Sequence, residues 1–186
     1  MVNIPPADKR RIKELKVQIK DLQGKLIIAN KLEGKDSYID VKVKKNQSRF
    51  QRIKKKGEED KAEGKFYIEI AITAKEQEVF VPVSVASGKK TAGFMYQIEG
   101  TAPGSIVTTS VKVQGEGVSQ ITLGTLLYTK IPTGKTAVFR IQATIRGAFN
   151  REYKIVFARL NYKLQLTEVQ YHQYLKEIHS DTVSFS

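Results

Sequence analysis

Few side chains in this sequence have the types and spacing that active-site chemistry needs. The 186 residues include no cysteine, which excludes disulfides, thiolate nucleophiles and cysteine-bound metals. The two histidines, His172 and His179, are seven residues apart in a segment that we predict to be helical, so they would lie about 10 Å apart on one face. That distance is too long for one metal ion, and neither histidine has the neighbours of a catalytic triad. We therefore expect no enzyme activity, no metal site and no cofactor.

One fragment of a phosphate-binding loop is present. Gly134, Lys135 and Thr136 match the end of the P-loop pattern, but Thr129 stands where its first glycine should be. The following residues alternate like a β-strand, so no helix N-terminus is available to hold a phosphate. We interpret the fragment as a tight turn between two strands.

Positive charge is the dominant chemical feature. Lysine and arginine total 32 against 19 acidic residues, which gives a formal net charge of +13. Two basic segments could neutralise phosphates, and Phe50 could stack on a base. Alternatively, the acidic residues at 58–63 pair with the basic ones across a solvated hairpin, or a protein contacts this loop. The candidates for nucleic-acid contact are Lys9, Arg10, Arg11, Arg49, Phe50, Arg52, Lys54, Lys55 and Lys56.

The N-terminal segment carries an apolar heptad seam, which predicts an amphipathic, coiled-coil helix over about 8–32. Gly34 ends the pattern. Because basic residues flank the seam, a parallel homodimer would be repulsive, and the flanks favour an antiparallel or higher-order self-association, or an acidic protein partner. Packing of the helix on its own domain is the other alternative. The predicted oligomerisation residues are Ile12, Leu15, Ile19, Leu22, Leu26 and Ala29.

The central region reads as one strand after another. Ile39, Val41 and Val43 alternate with polar residues, and similar runs recur up to Leu164, separated by turn signals such as Pro103-Gly104. Pro82 places its strand at an edge or a bulge. Short strands without intervening helices predict a mainly β protein: an antiparallel β-sandwich, jelly-roll or Ig-like.

The chain end shows a second helical pattern. Thr167 and Gln170 match a capping box, which predicts a short helix over about Glu168–His179, followed by an extended end or an extra edge strand over Ser180–Ser186. The predicted organisation is therefore a basic helical arm at 1–36, a β-sandwich domain at 37–166 with a basic hairpin insertion at 44–65, and a C-terminal helix and tail at 167–186.

No motif matches a known family, but the general plan resembles small viral coat or phage virion subunits and bacterial surface sandwich modules. We expect no membrane insertion, because apolar runs are only a few residues long, and the first residues lack the apolar core of a signal peptide. The predicted function is a structural subunit that assembles with copies of itself through the helix and the sandwich edges. A virion or a cell surface is favoured as its location, and the cytoplasm stays open. The alternative is a nucleic-acid-binding module.

Overall fold

The computed structural model describes residues 38–53, 61–87, 91–166, 170–175 and 177–186, together with Leu15 and Gln18. The chain divides into two compact units, Met1–Ser37 and Tyr38–Ser186. Leu15 and Gln18 have helical backbone and exposed side chains. The other predicted seam residues lie outside the described residues, so the heptad arm stays a prediction. The same holds for Lys9, Arg10, Arg11, Lys54, Lys55 and Lys56.

The described part of the second unit is built from β-strands, which confirms the mainly β prediction. Their bounds are β1 (Ile39–Ile53), β2 (Lys61–Ala74), β3 (Val79–Pro82), β4 (Val85–Ala86), β5 (Phe94–Gly100), β6 (Ser105–Gln114), β7 (Ser119–Leu123), β8 (Leu126–Ile131), β9 (Thr136–Gly147), β10 (Glu152–Tyr162), β11 (Tyr171–Tyr174) and β12 (Val183–Ser184).

These strands form three sheets. The front sheet has the order β1-β2-β9-β6, the back sheet has the order β11-β10-β5-β4 with β12 also paired to β10, and the side sheet has the order β3-β8-β7. Neighbouring strands are antiparallel, as predicted, except for the parallel pair β4 and β5. Pro82 is the last residue of β3, an end strand of the side sheet, where its missing N–H costs no ladder bond.

The front and back sheets share one hydrophobic core. Alternate residues of β2 and β9, such as Ile70 and Phe139, are fully buried on one face of the front sheet. The ring of Phe94, on the back sheet, lies 5.2 Å from the Phe139 ring and 6.1 Å from the Phe157 ring between centroids. Each fully buried side chain of this size contributes about 1.5–3 kcal/mol to folding. This core fixes which face of each front-sheet strand points outward.

A β-bulge at Lys44 resets the alternation of β1. Up to Val43 the odd-numbered residues face the core, opposite Ile70 and Ile72 of β2. The register then shifts by one residue, so that Phe50 is paired with Gly64 on the core side and Arg49 with Lys65 on the outer side. The segment 44–65, predicted as an insertion that breaks the β pattern, therefore continues the two strands as a long hairpin, with residues 54–60 outside the described part.

The predicted helix over Glu168–His179 is wrong. Tyr171–Tyr174 instead forms β11, paired with Arg159–Tyr162 of β10. The aromatic residues of this stretch have high strand propensity, and the open edge of β10 offers hydrogen bonds that an isolated short helix lacks. The capping residue Thr167 lies outside the described residues.

The chain end forms a strap over the front and back sheets. Strand β12 pairs with Glu152 and Tyr153 of β10, as expected for an extra edge strand. Phe185 is fully buried, with its N–H donating to the Arg151 carbonyl at 2.8 Å and its own carbonyl accepting from the Asn150 N–H at 2.6 Å. The strap, defined here as residues 180–186, thereby closes one end of the core.

Candidate functional site

The outer face of the front sheet carries a regular grid of polar side chains. The register aligns Arg49 of β1 with Lys65 of β2 and Thr144 of β9 in one row. The next row aligns Gln47 with Tyr67 and Gln142. Because alternate residues of a strand share a face, these two rows form one surface.

A cavity of about 650 Å³ lies on this surface, within the size range of small-molecule sites. We call it the front cavity. No acidic side chain is among the described residues that line it. Its polar lining consists of Gln47, Ser48, Arg49, Lys65, Tyr67, Gln142 and Thr144.

The acidic residues beside the front cavity already have cationic partners. Glu69 accepts a hydrogen bond from the Arg140 guanidinium at 2.9 Å and another from the Tyr67 hydroxyl. The bond from Tyr67, and after it the bond from Arg140, lowers the pKa of the Glu69 carboxyl, and the bond to Glu69 raises the pKa of the Tyr67 hydroxyl. On the other side of the cavity, Arg146 donates to the buried Glu63 at 2.7 Å.

Arg49 and Lys65 differ from these pairs. They face each other directly across two hydrogen-bonded strands, and within the described part of the chain neither forms an ion pair. Two like charges directly opposite each other destabilise a strand pair. Among the described residues, the front cavity therefore carries positive charge at this point without an acidic partner.

The structure divides the basic residues of the hairpin between two faces. Phe50 packs against Phe149 and Phe185, with ring centroids 6.5 and 5.6 Å away. The Arg52 guanidinium lies 5.0 Å from the centre of the Phe149 ring, which is a cation–π distance. Arg49 points to the opposite face, into the front cavity. These three residues do not form one surface, and their contact with nucleic acid stays a prediction.

The other candidates from the sequence are not brought together. His172 is on β11, with its ring edge-on to Tyr174 at 5.3 Å, whereas His179 forms an isolated bridge with Val156. In the described ranges, no group of three or more histidine, cysteine or acidic residues could hold a metal ion. Gly134 lies in the tight turn between β8 and β9 with a φ of 73°, the left-handed conformation that favours glycine.

A second feature is the free edge of β6, which we call the β6 edge. Strand β6 ends the front sheet and pairs with β9, and no backbone hydrogen bond joins its other side to a described residue. Most of its ten residues are exposed, including Val107 at 41%. An edge strand of this length presents a row of unpaired N–H and C=O groups that can accept another strand.

Sequence reasoning missed the front cavity and could not tell which strands lie at an open edge of a sheet. The cavity depends on the bulge at Lys44, which decides that Arg49 rather than Phe50 faces outward. The strand order decides which strands lie at an edge. It places β6 beside β9, although Gln114 and Thr136 are 22 positions apart in the sequence. The one signal available for the cavity was that Lys65 and Tyr67 alternate with the buried, apolar Phe66 and Ile68 along β2.

Comparisons with protein-family models, with curated proteins and with solved structures find no match to this chain. Among the residues that the structure describes, no helix is long and apolar enough to cross a membrane.

Proposed function

We propose that the protein is a non-enzymatic structural subunit that assembles with copies of itself into a particle or a layer. In this proposal the front and back sheets are the two layers of an antiparallel sandwich, jelly-roll or Ig-like, and the subunit contact is the β6 edge. The observation that carries the proposal is that this long edge strand is exposed and, among the residues that the structure describes, is paired on one side only.

The residues of β6 favour pairing with another strand. The sequence is rich in β-branched residues, contains no proline and has one charged residue, Lys112. Natural proteins keep edge strands apart with charges, prolines, bulges or covering segments. Strand β6 has a bulge at Val107, but from Thr108 to Gln114 it is regular, and no described residue outside β9 forms a backbone hydrogen bond with it.

The opposite edge of the front sheet is protected. Strand β1 carries exposed lysines, including Lys42, Lys44 and Lys45. The chain end also binds the middle of β1: the Asn46 side-chain amide donates to the His179 carbonyl at 3.0 Å, and the Asp181 N–H of the strap donates to the Asn46 side-chain oxygen at 3.3 Å. Strand β1 is thus protected by several lysines and by the bound chain end, whereas β6 has one lysine and one bulge. We therefore assign self-association to β6.

Antiparallel pairing of β6 with β6 of a second copy gives a closed twofold contact. It joins the front sheets of two subunits into one continuous sheet, and every outward backbone group near the axis gains a partner. A particle or layer needs a second contact besides this dimer. We assign that contact to the predicted heptad arm, whose seam includes Ile19 and Leu22. This assignment keeps the virion or the cell surface as the favoured location.

Charge insertion on β6 tests the proposal. In Thr108→Lys with Ser110→Lys, both new lysines are placed on the outer, exposed face of β6, so the core is untouched. We expect this variant to form smaller assemblies than the wild-type chain at the same concentrations, because like charges across the twofold axis oppose β6 pairing while the heptad arm is unchanged. The measurement is sedimentation velocity over a concentration series.

The matched control places the same two charges away from β6. Gln77→Lys with Gln97→Lys adds two lysines at exposed positions outside the front sheet. It should keep the wild-type mass, and both variants should keep the wild-type circular dichroism spectrum. A wild-type chain that is monomeric at every concentration, or a control that dissociates as much as the β6 variant, would refute the proposal.

A further inference from the structure

We propose that the front cavity binds a small ligand that carries a phosphate or sulfate group on a hydroxyl-rich body. The site consists of the opposed cations Arg49 and Lys65 with the polar groups of Gln47, Gln142 and Thr144 beside them. This inference does not depend on self-association.

The opposed cations point to an oxyanion. Arg49 and Lys65 are cross-strand neighbours, so their Cβ atoms are about 4.5–5.5 Å apart, a spacing that lets both side chains converge on one tetrahedral group. Such charge-assisted hydrogen bonds are among the strong ones in proteins, and arginine suits phosphate and sulfate because its donors form a planar fork.

Nearby acids do not satisfy this charge. Glu63 is held by Arg146 at 2.7 Å, and Glu69 is held by Arg140 and Tyr67. A bound oxyanion would remove the repulsion between Arg49 and Lys65, which nothing in the described chain removes. The site is therefore organised for a negative ligand before the ligand arrives.

The rest of the lining favours a polar body on that ligand. Gln47 and Gln142 supply amide donors and acceptors, and Thr144 supplies a hydroxyl in the same row as Lys65. The 650 Å³ of the front cavity exceeds what a bare phosphate or sulfate ion occupies, and its lining offers few apolar side chains. A sugar that bears one oxyanion matches both the size and the chemistry.

Calorimetric titration with glucose 6-phosphate, glucose 6-sulfate and unmodified glucose tests the inference. The titrations use the full chain in about 0.15 M sodium chloride, where diffuse attraction beyond roughly 8 Å is screened. We expect at least one of the two anionic sugars to bind, and unmodified glucose to bind at least about tenfold more weakly, because it lacks the charged hydrogen bonds. The tighter of the two anionic sugars identifies the oxyanion.

Three variants locate the binding. Arg49→Gln and Lys65→Gln should each weaken binding of the anionic sugar by about tenfold or more. Lys112→Gln, the matched control, removes the same charge from the same face of the front sheet, on β6 and outside the cavity lining. It should leave binding unchanged.

A thermal melt separates a binding role from a structural role. Without ligand, Lys65→Gln should melt at the wild-type temperature or above it, since it removes a like-charge pair. With ligand, it should lose the upward shift that the wild type shows. Absence of binding by both anionic sugars, equal binding of glucose, or an equal loss in Lys112→Gln would overturn the inference.

Discussion

Phe185, the penultimate residue of the chain, should be among the strongest single determinants of stability. Its side chain is fully buried, and its ring lies 4.6 Å from the Tyr153 ring and 5.6 Å from the Phe50 ring between centroids. A Cβ on Gly64 would stand 2.7 Å from the same ring, so the glycine provides the space that Phe185 fills. The ring therefore joins the β1–β2 hairpin to β10.

We expect Phe185→Ala to lower the free energy of unfolding by about 3–5 kcal/mol, the usual cost of truncating a core phenylalanine. The loss of free energy reaches the upper end of this range if the strap detaches, because the variant then also loses the burial of Val183 and the pairing of β12. A typical domain has about 5–15 kcal/mol in total, so the loss is a large fraction of the stability.

Urea unfolding followed by circular dichroism measures this effect, with Ser186→Ala as the control because that neighbouring side chain is exposed. The control should stay within about 0.5 kcal/mol of the wild type. A loss below about 1 kcal/mol for Phe185→Ala would refute the reasoning, since it would mean that the ring is not a core element. An unchanged urea dependence of the free energy would show that the fold itself is retained.

Two further predictions concern the front sheet and its border. Gly147→Ala should destabilise the fold by more than Gly124→Ala in urea unfolding. The new Cβ of Gly147 would overlap the Tyr153 ring, whereas Gly124 has open space around it and only a φ of 61° that disfavours alanine. An equal loss would contradict the packing. The pKa of Glu69 is lowered below its ordinary 4.5. The stabilisation that ionised Glu69 gives to the folded state is therefore present above pH 4.5 and is lost as the pH falls through the lower folded pKa. The stability difference between wild type and Glu69→Gln should therefore shrink below pH 4.5, and a constant difference down to about pH 2 would contradict it.

The strands could be predicted from the sequence because their apolar residues alternate and their turns carry glycine and proline. Strands β2 and β9 show this best, with Ile68, Ile70 and Ile72 all buried on one face. The mainly β, antiparallel character follows from that pattern. The strand order does not, because pairing of β2 with β9 and of β9 with β6 is decided by contacts between residues far apart in the chain.

The errors have local physical causes. The helical spacing of Tyr171, Leu175 and Ile178 is real, but the free edge of β10 stabilises a strand at Tyr171–Tyr174 more than an isolated turn of helix could be stabilised. The bulge at Lys44 has no glycine or proline to mark it, and it changes the face of every later residue of β1. Interpreting the segment 44–65 as an insertion groups Arg49 and Phe50 on one surface, whereas consecutive residues of a strand face opposite sides.

A cysteine scan along β6 tests the central claim most directly. The chain has no cysteine of its own, so a single cysteine placed at each position from Ser105 to Gln114 can form a disulfide only with a second copy. A disulfide needs Cα atoms roughly 4.4–6.8 Å apart, and in antiparallel pairing about a twofold axis only the positions beside the axis meet that limit. We predict that one or two adjacent positions of β6 cross-link efficiently and the others do not, while Lys42→Cys on β1 forms no disulfide-linked dimer. Absence of cross-linking at every β6 position, or equal cross-linking at all of them and at Lys42→Cys, would contradict assembly through the β6 edge.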